Sequence, residues 1–345
     1  MSVTVIVGGQ FGSEGKGKTT AHLCRNRGYD IAIRCGGPNS GHTVTVDGEQ
    51  YVLQQIPAGV VNSDTDVFLA AGCLIDLDIL FKEIEFFDIP EERLLIDPNA
   101  VIVRDEYIER EKDGELRERI SSTCSGTGEA VSQRALRTEG VQLAQDVPEL
   151  EQYVGDVAHV TNEAHKQGKQ IVVEGTQGYG LSVYHSQDYP YATSRDTTAA
   201  GFISEVGISP LAVSEIIMVL RTFPIRVPGN SGPLPKEIDW ETIQEESGYP
   251  HEIEERTSVT NRVRRVARFD MEIVERAVMA NAPTEIALMG ADFLDYKNNH
   301  ANKYEELTAD AKDFIERLER LTDTPVTLIG TGPFDQELFD RHNDS

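Results

Sequence analysis

The chain has 345 residues, 39% hydrophobic and 26% charged, enough apolar material to bury a large core as one α/β domain or two smaller ones. Asp and Glu number 58 against 32 Lys and Arg, giving a net charge of −26, and only 10 of the bases are Lys. A surface this acidic repels nucleic acid and anionic membranes, which sets both aside as partners, and it suits a protein kept dissolved in concentrated salt. Cys24, Cys35, Cys73 and Cys124 lie far apart with no C-x-x-C spacing, so neither a disulfide framework nor a zinc site is expected. Residues 1–7 carry no basic stretch, and no apolar run reaches the roughly 18 residues of a membrane span, so a cytoplasmic protein is expected.

Residues 3–7 are a short β-branched apolar run ending on Gly8 and Gly9, the way a buried parallel strand enters a loop. Residues 18–27 then predict a helix and 31–34 a second strand. A further buried strand is expected over 67–71, followed by a helix over 76–87. A helix over 147–168 leads to a strand over 170–173 that runs into Gly175, and another strand follows over 215–221. Helices over 271–281 and 308–321 precede strands over 285–289 and 325–329. This alternation predicts a single α/β domain over 1–345, with a mostly parallel central sheet and helices on both faces. The C-terminal ends of the strands run into polar or Gly-rich loops, where open α/β sheets hold ligands. Residues 228–260, rich in Pro, Gly and acid, are expected to form an irregular insertion or mobile loop.

Gly12-Ser-Glu-Gly15-Lys16-Gly17-Lys18-Thr19 has the G-x-x-x-x-G-K-[ST] spacing, after a predicted strand and before a predicted helix. Its glycines let backbone N–H groups approach phosphate oxygens, and the helix N-terminus adds a favourable dipole. On this pattern alone the leading reading is an ordinary P-loop GTPase or ATPase.

Further strings change that reading. Gly36-Gly-Pro-Asn39-Ser-Gly41-His42-Thr43 follows a predicted strand, and Gln54-Gln-Ile-Pro57-Ala-Gly59 comes after it. Glu174-Gly-Thr-Gln177-Gly, Tyr189-Pro-Tyr-Ala-Thr193-Ser, Phe223-Pro-Ile-Arg226-Val227, Arg262-Val-Arg264-Arg265 and Gly330-Thr-Gly332-Pro333 then appear in that order. Together these resemble the adenylosuccinate synthetase family over nearly the whole chain, at the compact length of its archaeal members.

The resemblance implies a homodimeric ligase that joins the α-amino group of L-aspartate to C6 of a purine nucleotide, using GTP and Mg²⁺. A purine 6-oxo group leaves poorly, so it is phosphorylated first and aspartate then displaces phosphate; positioned donors and cations must carry the charge. The resemblance places Lys16 at the transferred phosphate, with Gly12, Glu14, Gly15, Gly17, Lys18, Thr19, Gly41 and Thr43 around the GTP phosphates. It makes His42 the acid at O6 and Gln177 the holder of the purine amide edge. Asn39, Thr123, Thr193, Val227 and, from the neighbouring subunit, Arg137 would hold the purine monophosphate. Asp292 would accept from the guanine of GTP and so select it over ATP, with Gly332 and Pro333 walling the base. Thr260, Asn261, Arg262 and Arg264 would capture aspartate, whose carboxylates suit the planar fork of arginine. The Gly41 carbonyl and residue 13 would ligate Mg²⁺, a hard cation that prefers oxygen.

One position departs from the family. The usual loop reads Gly-Asp-Glu-Gly-Lys-Gly-Lys, with the Asp serving as base and metal ligand, and here Ser13 stands in its place. A serine hydroxyl is essentially never ionised near neutral pH and cannot be a comparable base without a partner. A viral branch of the family has this serine and uses deoxyguanylate in place of inosinate. Gln10-Phe-Gly-Ser13, Pro38-Asn39, Val263-Arg-Arg-Val266 and Asp239-Trp240-Glu241 resemble that branch as well. The expected reaction therefore converts dGMP, L-aspartate and GTP to 2-amino-2′-deoxyadenylosuccinate, GDP and phosphate, for 2-aminoadenine synthesis. Two rivals stand beside it: an ordinary adenylosuccinate synthetase acting on IMP, and a GTP-binding regulatory module without catalysis. Against the second, no N-K-x-D string is present and the Arg262 loop would have no purpose.

Overall fold

Nine strands build the central sheet: β1 Val3–Gly8, β2 Ile31–Arg34, β3 Asp66–Leu69, β4 Leu94–Ile96, β5 Ile171–Glu174, β6 Val213–Arg221, β7 Glu285–Met289, β8 Val326–Gly330 and β9 Leu338–Asp340. The structure is a computed structural model and describes residues 3–46, 48–257 and 261–344; Thr260 lies outside them. Across the sheet the order is β9-β8-β7-β6-β1-β5-β2-β3-β4, and every neighbouring pair is parallel except β8 with β9.

Alternate residues of each inner strand enter two different apolar clusters. Val3, Val5 and Val7 join one and Ile6 the other; Ile31 and Ile33 join the first and Ala32 the second. Because side chains alternate across a strand, this division shows that both faces of the sheet are covered, as a parallel sheet requires. Strand β1 is buried at all six residues and lies between β5 and β6, so the loop after it emerges at the middle of the sheet.

Each expected strand is present within about three residues, the accuracy that periodicity allows. The helix expected over 147–168 is shorter: Val157–Lys166 forms it, and 3-10 turns occupy Ala144–Asp146 and Pro148–Tyr153. Pro148 lacks the N–H a helix interior needs, and Asp156 starts the true helix by accepting from the His159 N–H at 2.8 Å. To the predicted elements the fold adds helices over Asp105–Asp113, Thr127–Leu136 and Ala199–Val206, and a hairpin of His42–Val46 with Glu49–Leu53.

The stretch 228–260 is not irregular throughout. Glu237–Ile238 and Ile225–Arg226 pair antiparallel with Arg265–Ala267, and Trp240–Ser247 is a helix. Asp239 caps that helix by accepting from the Thr242 N–H at 2.8 Å, a contact typically worth about 1 kcal/mol. Trp240 and Ile243 pack with Phe223 and Val266 in a small core of their own. Phe223, Ile225 and Val266, outside the stretch, complete that core, so the polar composition of 228–260 misleads. No helix among the described residues is long and apolar enough to cross a membrane.

Candidate active site

Parallel strands send all their C-terminal loops to one edge of the sheet, and six of those loops surround one cavity of about 1220 Å³. The loops follow β1, β2, β5, β6, β7 and β8. They bring to the cavity Gly12 to Lys18, Asn39, Gly41, His42, Thr43, Gln177, Val227, Asp292, Gly332 and Pro333. Thr123, Thr193, Arg262 and Arg264 reach it from other segments. Thr19, Arg137 and Asn261 lie outside its lining. Thr19 is buried in the first helix, α1 (Lys16–Asn26), where its hydroxyl donates to the Gly15 carbonyl at 3.1 Å. Arg137 is exposed in the left-handed conformation just past the helix Thr127–Leu136.

The loop after β1 is braced from within. Glu14 is fully buried; its Oε1 accepts from the N–H groups of Gly12 at 2.8 Å and Gln10 at 3.2 Å, and its Oε2 pairs with Lys16 Nζ at 2.5 Å. Gly15, with φ of 108°, makes the left-handed turn that starts α1, a conformation an L side chain rarely adopts. Gly178 closes the other side: a Cβ there would sit 2.6 Å from the Gly12 nitrogen. Gln177 packs beside the loop with its own φ at 61°. Ser13, with φ of 56°, is exposed to the cavity, and its carbonyl accepts from Arg221 Nη1 at 3.2 Å. Lys18 points elsewhere, donating to the carbonyls of Gly332 at 2.8 Å and Glu337 at 3.3 Å. Burial lowers its pKa to about 8 against the pull of Glu337, Asp335 and Asp292.

Beside the loop sits a buried trio that the sequence did not reveal. Arg34 Nη1 lies 3.0 Å from His42 Nδ1, 2.5 Å from His42 Nε2 and 3.3 Å from Glu174 Oε1, and His42 Nδ1 contacts that same carboxylate oxygen. Glu174 Oε2 accepts from the Ala58 N–H at 2.7 Å. A carboxylate only accepts, and guanidinium only donates. The network therefore assigns the His42 proton to Nδ1 and leaves Nε2 to accept from Arg34. Burial first, and the Arg34 charge second, lower the His42 pKa to about 4, so the ring is neutral at pH 7 with both nitrogens engaged. Arg34 also donates to the Ser40 hydroxyl at 3.2 Å, tying the trio to the loop that carries Asn39, Gly41 and His42.

Arg34, Glu174 and Arg221 share one signal. Each is the last residue of its strand, β2, β5 and β6 respectively, and directly follows a run of buried apolar residues. A charge there points out of the sheet edge toward the ligand crevice, and this signal could have identified all three. Arg221 joins two parts of the site: besides Ser13 it binds Glu255, on the segment leading to Arg262.

At the far end, Asp292 is 3% exposed and accepts from the Tyr249 hydroxyl. Burial raises its pKa against the Tyr249 hydrogen bond and the Lys18 charge. Near Thr123, Glu111 occupies the start of the helix Thr127–Leu136, accepting from Gly126, Gly128 and Glu129 N–H groups at 2.8, 2.7 and 3.1 Å. Those donors are satisfied internally, and Thr123, whose hydroxyl is 3.1 Å from that of Ser125, lines the cavity beside them.

A sequence model of adenylosuccinate synthetase matches residues 5–147 and 139–299. Adenylosuccinate synthetase of Methanocaldococcus jannaschii is 40% identical over 349 residues, covering 100% of this chain and 98% of that one. The Archaeoglobus fulgidus enzyme is 38% identical, covering 99% and 98%. Among solved structures, fully ligated adenylosuccinate synthetase from Plasmodium falciparum superposes with a TM-score of 0.88 at 22% identity, over 99% of this chain and 100% of that one. Cyanophage S-2L succinoaminodeoxyadenylate synthetase, bound to dGMP and to dATP as energy donor, superposes with a TM-score of 0.82 at 27% identity, over 98% and 95%.

Proposed function

The chain belongs to the adenylosuccinate synthetase family of C–N bond-forming ligases, and from that premise we propose that it joins L-aspartate to C6 of dGMP at the expense of GTP. The product is 2-amino-2′-deoxyadenylosuccinate. The observation that carries this reading is Ser13, exposed to the cavity on the braced phosphate loop. Its short side chain leaves room for a 2-amino group that inosinate lacks. The likeness to the cyanophage enzyme solved with dGMP supports the same choice.

The chemistry runs in two displacements. O6 of the purine attacks the γ-phosphorus of GTP, GDP leaves, and the N1 proton is lost. The aspartate amine then adds to C6, the C6–O bond breaks to release phosphate, and the amine gives up one proton. Lys16 sits at the transferred phosphoryl group once the incoming phosphate draws it from Glu14. Gln177 orients the amide edge, and Asn39, Thr123, Thr193 and Val227 seat the monophosphate. Arg262 and Arg264, both at the cavity wall, take the carboxylates of aspartate. Asn261 and Thr260 belong to this loop in our reading. Asp292 reads the guanine of GTP.

His42 can polarise or protonate O6 only after its Nε2 leaves Arg34, because neither nitrogen carries a spare proton in the trio. Glu14 is a poor substitute for the missing base: three donors already occupy its buried carboxylate. The donor set fits Mg²⁺ in kind, since the Ser13 hydroxyl and the Gly41 carbonyl line the cavity and both are oxygens. Phosphate oxygens of the nucleotides would complete its coordination. Bound there, Mg²⁺ would neutralise charge on the transferred phosphoryl group. Arg137 and the adjoining Leu136, 69% exposed, fit a homodimer in which Arg137 enters the neighbour's monophosphate site.

The test offers purified enzyme dGMP, GMP and IMP separately, with GTP, Mg²⁺ and aspartate, and identifies the adducts. Preferred turnover of dGMP is expected. Turnover of IMP alone overturns the reading in favour of an ordinary adenylosuccinate synthetase, the activity named for the relatives at 38–40% identity.

A further inference from the structure

Tyr249 and Asp292 stand 43 residues apart in sequence and meet at the base end of the cavity. The Tyr249 hydroxyl donates to Oδ2 of Asp292. Its ring is held in place by Tyr296, Phe293 and His251, at centroid distances of 4.6, 5.7 and 5.4 Å. The hydroxyl is therefore a built part of the site, fixed by ring packing and by its hydrogen bond to Asp292.

A guanine presents two parallel donors, N1–H and the 2-amino group, and a free carboxylate answers them with two oxygens. An adenine presents one donor, the 6-amino group, beside the acceptor N1. With Tyr249 on Oδ2, the site shows one carboxylate oxygen without the tyrosine contact next to a hydroxyl whose proton can turn to an acceptor nitrogen. That pairing answers an adenine edge, whereas for guanine the hydroxyl takes one of the two lone pairs of Oδ2 and draws off part of its charge, which weakens the second hydrogen bond.

We propose that Tyr249 is a specificity-determining residue for the phosphoryl donor: by occupying one oxygen of Asp292 it weakens the two-donor grip on guanine and lets an adenine nucleotide compete with GTP. The inference rests on Asp292 being the acceptor for the donor's base, as read above.

The experiment measures kcat/KM for GTP and for ATP in single preparations of the wild type, Tyr249→Phe and Asp292→Asn. The phenylalanine keeps the ring packing, and the GTP/ATP ratio does not depend on the fraction of active protein. Tyr249→Phe should raise the ratio by about fivefold or more, mainly through a lower KM for GTP, the size expected for one hydrogen bond in recognition. Asp292→Asn should lower it. A Tyr249→Phe ratio at or below that of the wild type, with Asp292→Asn still lowering it, overturns the role of Tyr249 and leaves the reading of Asp292 standing. An unchanged ratio in Asp292→Asn overturns the reading of Asp292 and the proposal with it.

Discussion

Arg34 Nη1 approaches His42 Nε2 at 2.5 Å, so the imidazole that faces the phosphate loop is held by a fully buried guanidinium. This contact reverses the simplest expectation for His42. A histidine beside a phosphate site reads as a ready proton donor, whereas this one is neutral and engaged at both nitrogens until something displaces Arg34.

Removing that charge should be visible directly. In Arg34→Met, the His42 pKa rises from about 4, because Glu174 remains beside the ring and the repelling cation is gone. His42 ring resonances followed by NMR should titrate within roughly pH 5–8 in the variant and stay flat there in the wild type. A flat variant would locate the cause in burial alone. The same depression sets a sign for stability: a histidine whose folded pKa lies below its unfolded value stabilises above about pH 6.5 and loses that contribution as pH falls toward 4. His22, also lowered to about 4 by burial, adds in the same direction, so urea midpoints should fall from pH 7 to pH 5.

Ser13→Asp tests where the purine is chosen. Ser13 has φ of 56°, and aspartate tolerates the left-handed region better than most residues, so the loop should survive the change. Activity on IMP should appear and kcat/KM for dGMP should fall about tenfold or more, the scale of losing a fitted contact. Unchanged preference would place base selection elsewhere in the cavity.

Glu14→Gln separates bracing from proton transfer. The amide must turn its NH₂ toward a donor, either the loop N–H groups or Lys16, and leaves that donor unanswered. Chemical denaturation should show a loss of about 1–3 kcal/mol, and kcat should drop. The pH dependence of kcat should keep its shape; a lost basic or acidic limb would restore Glu14 as the base.

Arg262→Lys tests the proposed role of this loop in holding aspartate. Lysine keeps the charge and loses the planar fork, so KM for aspartate should rise about tenfold or more while KM for GTP stays put. Equal changes in both would assign Arg262 to general bracing of the site.

Much of this architecture is legible in the chain. The apolar runs at β1, β5 and β6, and the glycines that end the first two, specify parallel strands with ligand loops, because strand burial and φ preferences are local properties. The segment over residues 105–136 was missed because helices as polar as Asp105–Asp113 show little apolar periodicity and gain their stability from contacts such as Glu111 with the start of Thr127–Leu136. The stretch over 228–260 was misjudged for a related reason, since Trp240 and Ile243 bury themselves against Phe223 and Val266.

By itself, the sequence determined the family, the order of the site's loops and the odd residue at 13, all of which are contiguous strings. Only the tertiary structure decided which charges meet. Arg34, Glu174 and Arg221 end three strands far apart in sequence, and sheet order, with β5 between β1 and β2, is what places the first two around His42. Tyr249 finds Asp292 in the same way. A buried charge or hydroxyl must be answered by whatever partner the fold brings within hydrogen-bond reach, and that partner is set by long-range packing that no local pattern encodes.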